Sequence, residues 1–166
     1  AAVEKLRGEF PAAEVRGVVC NVSDAGALKR MVEELATDGK PLHVLVSNVG
    51  TDPVSGKALD MSEAVFDKIF TTNVKAAWLL VKLARPLMER GSAVLLVSST
   101  GGLQPAFPST LYGVSKAAVI ALARGLATEL STEGIRVNAV APGLVKTRMS
   151  EAFWKGPYAD VARDTL

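Results

Sequence analysis

Four short apolar runs, rich in β-branched residues, alternate along the chain with longer stretches of helical periodicity, and this alternation restricts the fold more than any other feature. The run at 42–47, LHVLVS, and the run at 93–97, AVLLV, are too apolar to leave one face in water. They read as parallel strands buried on both sides. Two further strands are expected at 15–22, where Val15, Val18, Val19 and Val22 cluster, and at 135–141, which Pro142-Gly143 ends. Strand, helix, strand, helix, strand, helix, strand is the order of an α/β sheet with right-handed crossovers, in one domain.

The helices are legible from spacing and caps. Residues 1–9 read as the tail of a helix, with Val3 and Leu6 at helical spacing and no cap before them. Ser23 is expected to cap a second helix, whose Leu28, Met31, Val32 and Leu35 share one face and which the Asp38-Gly39 turn stops. Ser62 is expected to cap the longest, running to about Gly91 with Pro86 in its last turns. Its stripe is Phe66, Ile69, Phe70, Asn73, Ala77, Leu80, Val81 and Ala84, so Asn73 is a polar residue on an apolar face. An unpaired buried amide costs about 1–3 kcal/mol. Asn73 therefore either satisfies backbone groups or lines a site. Ser109 or Thr110 opens the fourth helix, where Val119, Ala123, Leu126 and Leu130 form the stripe and Gly125, among many alanines, would allow close approach of a neighbour. The segment 144–166, with Trp154, Gly156 and Pro157, reads as a loop with short helical pieces.

The chemistry is expected between residues 98 and 116, SSTGGLQPAFPSTLYGVSK. Ser99 follows the end of a buried strand, which is where doubly wound sheets place their sites. Tyr112 and Lys116 are four apart and share a helix face. A free phenol has a pKa of about 10, and a nearby cation favours the phenolate. The expectation is a tyrosine lowered by Lys116 toward the range in which it can exchange protons with an alcohol oxygen.

Composition excludes several alternatives. Nineteen basic against seventeen acidic residues, scattered along the chain, make no nucleic-acid patch. A single cysteine, Cys20, permits no internal disulfide, and with the single histidine, His43, it is too little for a zinc cluster; both read as packing residues, and no metal is expected. Lys75, Lys82 and Arg85 interrupt the best candidate for a membrane span. The opening AAVEKLRGEF has no signal-peptide pattern, so the Asn21-Val22-Ser23 sequon carries little weight; the expected compartment is the cytoplasm, with the peroxisome and the mitochondrion as alternatives.

Five separated signals, Asn48-Val49-Gly50 after a strand, Asn73, Ser99 thirteen residues before Tyr112, Lys116, and Pro142-Gly143 with Thr147, resemble the short-chain dehydrogenase/reductases. SNVGTDPVSG, NVKA, VLLVSS, YGVSKAA and IRVNAVAPGLVKT look most like the carbonyl and retinal reductase branch, and the likeness covers essentially the whole chain. The resemblance implies a Rossmann-like, doubly wound parallel sheet and hydride transfer between a nicotinamide cofactor, NADP or else NAD, and a small carbonyl or alcohol substrate. It implies that Tyr112 is the general acid, that Lys116 lowers its pKa and binds the nicotinamide ribose, and that Ser99 polarises the substrate oxygen. Asn73 would anchor a proton-relaying water. Asn48, Val49 and Gly50 would lie against the cofactor, Pro142, Gly143, Val145 and Thr147 would meet its carboxamide, and Asn21 and Val22 would lie near its adenine. It also implies a homo-oligomer through the helices at 62–90 and 109–131.

The departures are specific. No G-x-G-x-x-G occurs, Asn21 stands where an aspartate is common, and the glycine-alanine order after Asn48 is Val49-Gly50. The first two strands and the last strand of the resembled fold have no counterpart, so the expectation is an incomplete sheet from a longer protein. In the resembled strand order 3-2-1-4-5-6-7, residues 15–22 would lie roughly 14 Å from residues 42–47, at about 4.8 Å per strand. They are expected to be an unpaired or rearranged edge. Turnover by this chain alone is not expected. The alternative is an inactive chain that serves as an interaction protein through the same two helices.

Overall fold

In the computed structural model, which describes residues 2–160, three parallel strands form one sheet in the order β1-β2-β3. They are β1 (Val44–Ser47), β2 (Ala93–Val97) and β3 (Arg136–Val140). Leu45 pairs with Val94 and Ser47 with Leu96, while Val94 pairs with Val137 and Leu96 with Ala139. These residues alternate with outward ones, so the pairing lays them on a single face.

That face is covered by α4 (Ala76–Ala84) and α6 (Thr110–Ser131). Val81, Val119, Ala123, Leu126 and Leu130 pack with Val94, Leu96, Ile135 and Val137 in one buried cluster. A second cluster joins α2 (Ala25–Ala36), through Leu28 and Val32, to Ala76 and Leu80 of α4. The stripe read from the sequence is thus the observed contact for α6, and for α2 through Leu28, Met31 and Val32. Leu35 and Phe66, expected inside, are exposed, and Phe66 stacks on Phe70 with ring centroids 4.4 Å apart.

Several expectations are corrected. The sheet is not buried on both sides: Val44 and Val46 are 59% and 51% exposed, and no described element covers their face. Residues 15–22 form no strand. They have no ladder partner, Val18 and Val19 are exposed, and the Arg7 guanidinium binds the Val15 carbonyl at 2.8 and 3.0 Å. A run of valines cannot be a strand without an adjacent edge to pair with, and residues 15–22 are unpaired, as expected of an edge that has lost its neighbours. Cys20 and Val22 nevertheless lean on the α2/α4 cluster, whereas His43 is exposed and contributes only its carbonyl to the ladder.

Helix boundaries differ for identifiable reasons. Asp24, not Ser23, caps α2, its carboxylate accepting from the N–H groups of Gly26 and Ala27 at 2.8 and 3.1 Å. Ser23 bonds the Thr72 hydroxyl instead, at 2.8 Å. The helix expected from 62 to about 91 is broken into α3 (Glu63–Phe70), a π turn (Thr71–Lys75), α4, and a 3₁₀ turn at Arg85–Leu87 that contains Pro86. Ser62 precedes α3 without a side-chain cap bond. The N-terminal helix α1 (Ala2–Glu9) is present with no buried residue. Within the expected loop after 144, Glu151–Phe153 is a 3₁₀ turn; the part from 161 to 166 lies outside the described residues.

Candidate active site

Because the strands are parallel, β1, β2 and β3 end side by side, and the segments following them meet at one edge of the sheet. Two backbone bonds join the second to the third: Ser98 N–H donates to Val140 at 2.8 Å and Thr100 N–H to Pro142 at 2.9 Å. A buried cation joins the first to the second. Lys116, 3% exposed, donates from Nζ to the carbonyls of Val97 at 2.9 Å and Val49 at 3.0 Å.

The rest of the site is built around α6. Ser99 caps the single turn α5 (Thr100–Leu103), its Oγ accepting from Gly101 N–H at 3.2 Å. This turn lies directly against α6, because Gly102 and Gly113 leave no side chain between them. A Cβ on Gly102 would be 2.7 Å from the Lys116 carbonyl carbon, and one on Gly113 would be 2.6 Å from the Gly101 oxygen. Ser98 Oγ closes the contact by donating to the Lys116 carbonyl at 2.8 Å. Gly125, expected to permit such an approach, is exposed and has nothing within 4 Å of its Cβ position.

Asn73 lies in the π turn, 1% exposed. Its Oδ1 accepts from Thr51 N–H at 2.7 Å, and its amide donates to the Thr51 carbonyl at 3.1 Å and to Ser115 Oγ at 2.9 Å. Ser115 in turn donates to the Tyr112 carbonyl at 2.6 Å. Every polar atom of the amide side chain is therefore engaged, and Asn73 couples the loop after β1 to the turn of α6 that carries Tyr112. Gly50 lies beside the same groups: a Cβ there would be 3.1 Å from Lys116 Nζ.

The expected electrostatics are overturned. Tyr112 is raised above the ordinary phenol value, chiefly by burial; the neighbouring Ser99 hydroxyl pulls it back, and the Asp52 carboxylate pushes it further up. Lys116 does not reverse this, since its Nζ is 5.7 Å from the ring centroid and is spent on two carbonyls. Burial also pushes Lys116 down, to about 8. Desolvation disfavours both charged forms and outweighs the attraction expected from i,i+4 spacing.

Other expected cofactor residues are distributed unevenly. Asn48 is exposed beside Val49. Asn21 is exposed and Val22 half-buried on the turn before α2, which reaches the π turn through the Ser23–Thr72 bond. Pro142 is tied to Thr100, but Gly143 and Val145 are exposed, and Thr147 bonds Ser150 and Trp154. Thr51, Asp52 and Ser115 are site residues that motif reading missed. All three sat in stretches already singled out, Thr51 and Asp52 in SNVGTDPVSG and Ser115 in YGVSKAA, but nothing local to those stretches marks them as site residues.

A nicotinamide nucleotide fits this edge at one end. Lys116 has three N–H donors and uses two. The remaining donor, the Tyr112 phenol and the exposed Asn48 amide suit ribose hydroxyls, and Gly50 keeps the approach to Lys116 free of a side chain. No glycine-rich turn is present in the sequence to cradle the phosphates.

A family model described as Enoyl-(Acyl carrier protein) reductase matches residues 1–164. Tropinone reductase-like 3 of Erythroxylum coca is 40% identical over 150 residues, which is 90% of this chain and 57% of that one. Dehydrogenase/reductase SDR family member 4 of Sus scrofa is 42% identical over 155 residues, 92% of this chain and 54% of that one. The chain thus spans about half the length of these relatives. Among solved structures, a short-chain dehydrogenase from Burkholderia cenocepacia in complex with NADP superposes with a TM-score of 0.85 at 28% identity, over 98% of this chain and 64% of that one. A blue fluorescent protein from a metagenomic library in complex with NADPH gives 0.87 at 26% identity, over 99% and 65%.

Proposed function

The chain belongs to the short-chain dehydrogenase/reductase family, and from that premise we propose that it carries the proton-transfer half of an NADP-dependent interconversion of a carbonyl compound and its alcohol. The observation that carries this reading is the meeting of Ser99, Tyr112 and Lys116 at the carboxyl edge of the sheet, with Lys116 bound to the carbonyls that follow β1 and end β2. A nicotinamide cofactor, when bound, supplies the hydride. Tyr112 gives its phenolic proton to the carbonyl oxygen; a phenol kept neutral by burial is in the form required for that step. Ser99 holds the same oxygen as negative charge develops on it. Lys116 binds a ribose hydroxyl through its remaining N–H, and Asn73 holds Thr51 and Ser115 so that the loop and the helix keep their spacing. The NADP complexes of similar folds support the choice of cofactor. The substrate is a small carbonyl compound.

A thermal melt with and without NADPH and NADH tests this. Binding to the folded state raises the midpoint by mass action. The expected outcome is a rise with NADPH that Tyr112→Phe retains; in a protein that joins this chain to a glycine-rich phosphate turn, ketone-dependent NADPH consumption falls by about 10²–10⁴-fold in the same variant. No rise with either nucleotide would instead favour an interaction protein. That second reading draws on one observation, a groove lined by Trp78, Lys82, Arg85, Leu126, Glu129 and Glu133 between α4 and α6, where Trp78 is 41% exposed. Trp78→Glu should then abolish self-association in sedimentation.

A further inference from the structure

Asp52 lies in the loop after β1, two residues beyond Gly50 and next to Thr51, which Asn73 clamps. Its Oδ2 accepts a hydrogen bond from Ser109, the residue at the start of α6. Its Oδ1 is buried and has no hydrogen-bond partner among the described residues. Ser109 is the residue immediately before the first turn of α6, three residues ahead of Tyr112. The Ser109 bond therefore ties the carboxylate to the mouth of the helix whose first turn carries the phenol, near enough for its charge to act there. Nothing in the proton transfer proposed above requires it there, and a dehydrated oxygen left unpaired is costly.

We propose that Asp52 is a positioning residue of this site: it fixes the loop after β1 to the start of α6 through Ser109, and its negative charge holds the proton on Tyr112. The functional meaning rests on the carbonyl-reductase reading, because a tyrosine that retains its proton is prepared to give it to a substrate oxygen. A site without this charge would hold the proton less firmly, with burial alone opposing the phenolate, the form that withdraws a proton from an alcohol.

The surroundings of the phenol support this. Among the described residues, the groups that bear on it are Lys116 on its own helix, with Nζ 5.7 Å from the ring centroid, the Ser99 hydroxyl from the segment after β2, and Asp52 from the segment after β1. Lys116 is directed to two backbone carbonyls. Asp52 is thus the negative charge that opposes the cation. Burial raises Asp52 itself, while the Ser109 hydrogen bond draws it back and the amino end of α6 favours its ionised form.

The test reads the phenol directly and needs neither cofactor nor turnover. The chain has two tyrosines, Tyr112 and Tyr158, so biosynthetic 3-fluorotyrosine gives two fluorine resonances, assigned by Tyr158→Phe. Fluorination brings phenol ionisation closer to neutrality, where the folded chain can be titrated by NMR. In Asp52→Asn, which keeps the shape and an acceptor for Ser109, the Tyr112 midpoint should fall by about one pH unit, the size of a single nearby charge. Asp52→Glu should restore the high midpoint, and Ser109→Ala, which removes the hydrogen bond but not the charge, should leave it at or above the original. Should Asp52→Asn not fold, Asp52→Ser carries the same expectation. An unchanged midpoint in the charge-removing variants would overturn the proposal, as would a fall in Ser109→Ala equal to that in Asp52→Asn, which would make the loop contact and not the charge responsible. A fall in Asp52→Asn in a chain that binds no nucleotide would uphold the electrostatic role of Asp52 while removing the reductase reading.

Discussion

Tyr112 and Lys116 illustrate how burial can reverse an argument from spacing. Both groups are disfavoured in their charged forms, and the Lys116 ammonium donates to the Val49 and Val97 carbonyls. Its folded value, about 8, lies below the unfolded value near 10.5. Between those limits the unfolded chain binds more protons than the folded one, so stability rises with pH across the window, and the penalty is fully present below it. The contribution is on the order of 1–3 kcal/mol. Tyr112 acts in the opposite sense above pH 10, where the folded state retains a proton that the unfolded state releases. Denaturation midpoints at pH 7, 8, 9 and 10 should therefore climb more steeply in the wild type than in Lys116→Met. Parallel profiles would show that Lys116 titrates normally.

At the scale of elements, α5 and α6 are held together by two glycines that no propensity argument would single out. Gly113→Ala places a methyl group 2.6 Å from the Gly101 oxygen and 2.9 Å from Pro105, and both obstacles are backbone. Overpacking of this kind costs about 1–3 kcal/mol, and here it also moves the turn that carries Ser99 away from Tyr112. Gly125, in the same helix, faces open space. Gly125→Ala should stabilise by about 0.5–1 kcal/mol through helix propensity alone. Urea midpoints of the two variants should lie on opposite sides of the wild type. The π turn follows a related logic: Asn73→Leu would leave the Thr51 backbone groups and Ser115 without partners, with an expected loss of about 2 kcal/mol or more.

For the whole molecule, the asymmetry of the sheet is decisive. One face is packed by α4 and α6, while the other presents Val44, Val46 and Val140, and β1 is an edge strand. An exposed apolar edge invites pairing with another chain. Val46→Lys should reduce concentration-dependent light scattering and leave the urea midpoint within about 0.5 kcal/mol of wild type; a large loss of stability would show that the face is covered in solution. The chain's own sequence determined the alternation of elements, the parallel pairing of 42–47, 93–97 and 135–141, and the placing of Tyr112 and Lys116 on one helix, because apolar runs and i,i+4 spacing are local properties that survive in almost any tertiary setting. Tertiary structure alone decided three other matters. Residues 15–22 lost their strand because a strand exists only against a neighbour. Tyr112 kept its proton because desolvation depends on everything packed around it. Asp52 entered the site because a loop 57 residues from Ser109 in sequence is brought against it only when β1 and α6 have docked.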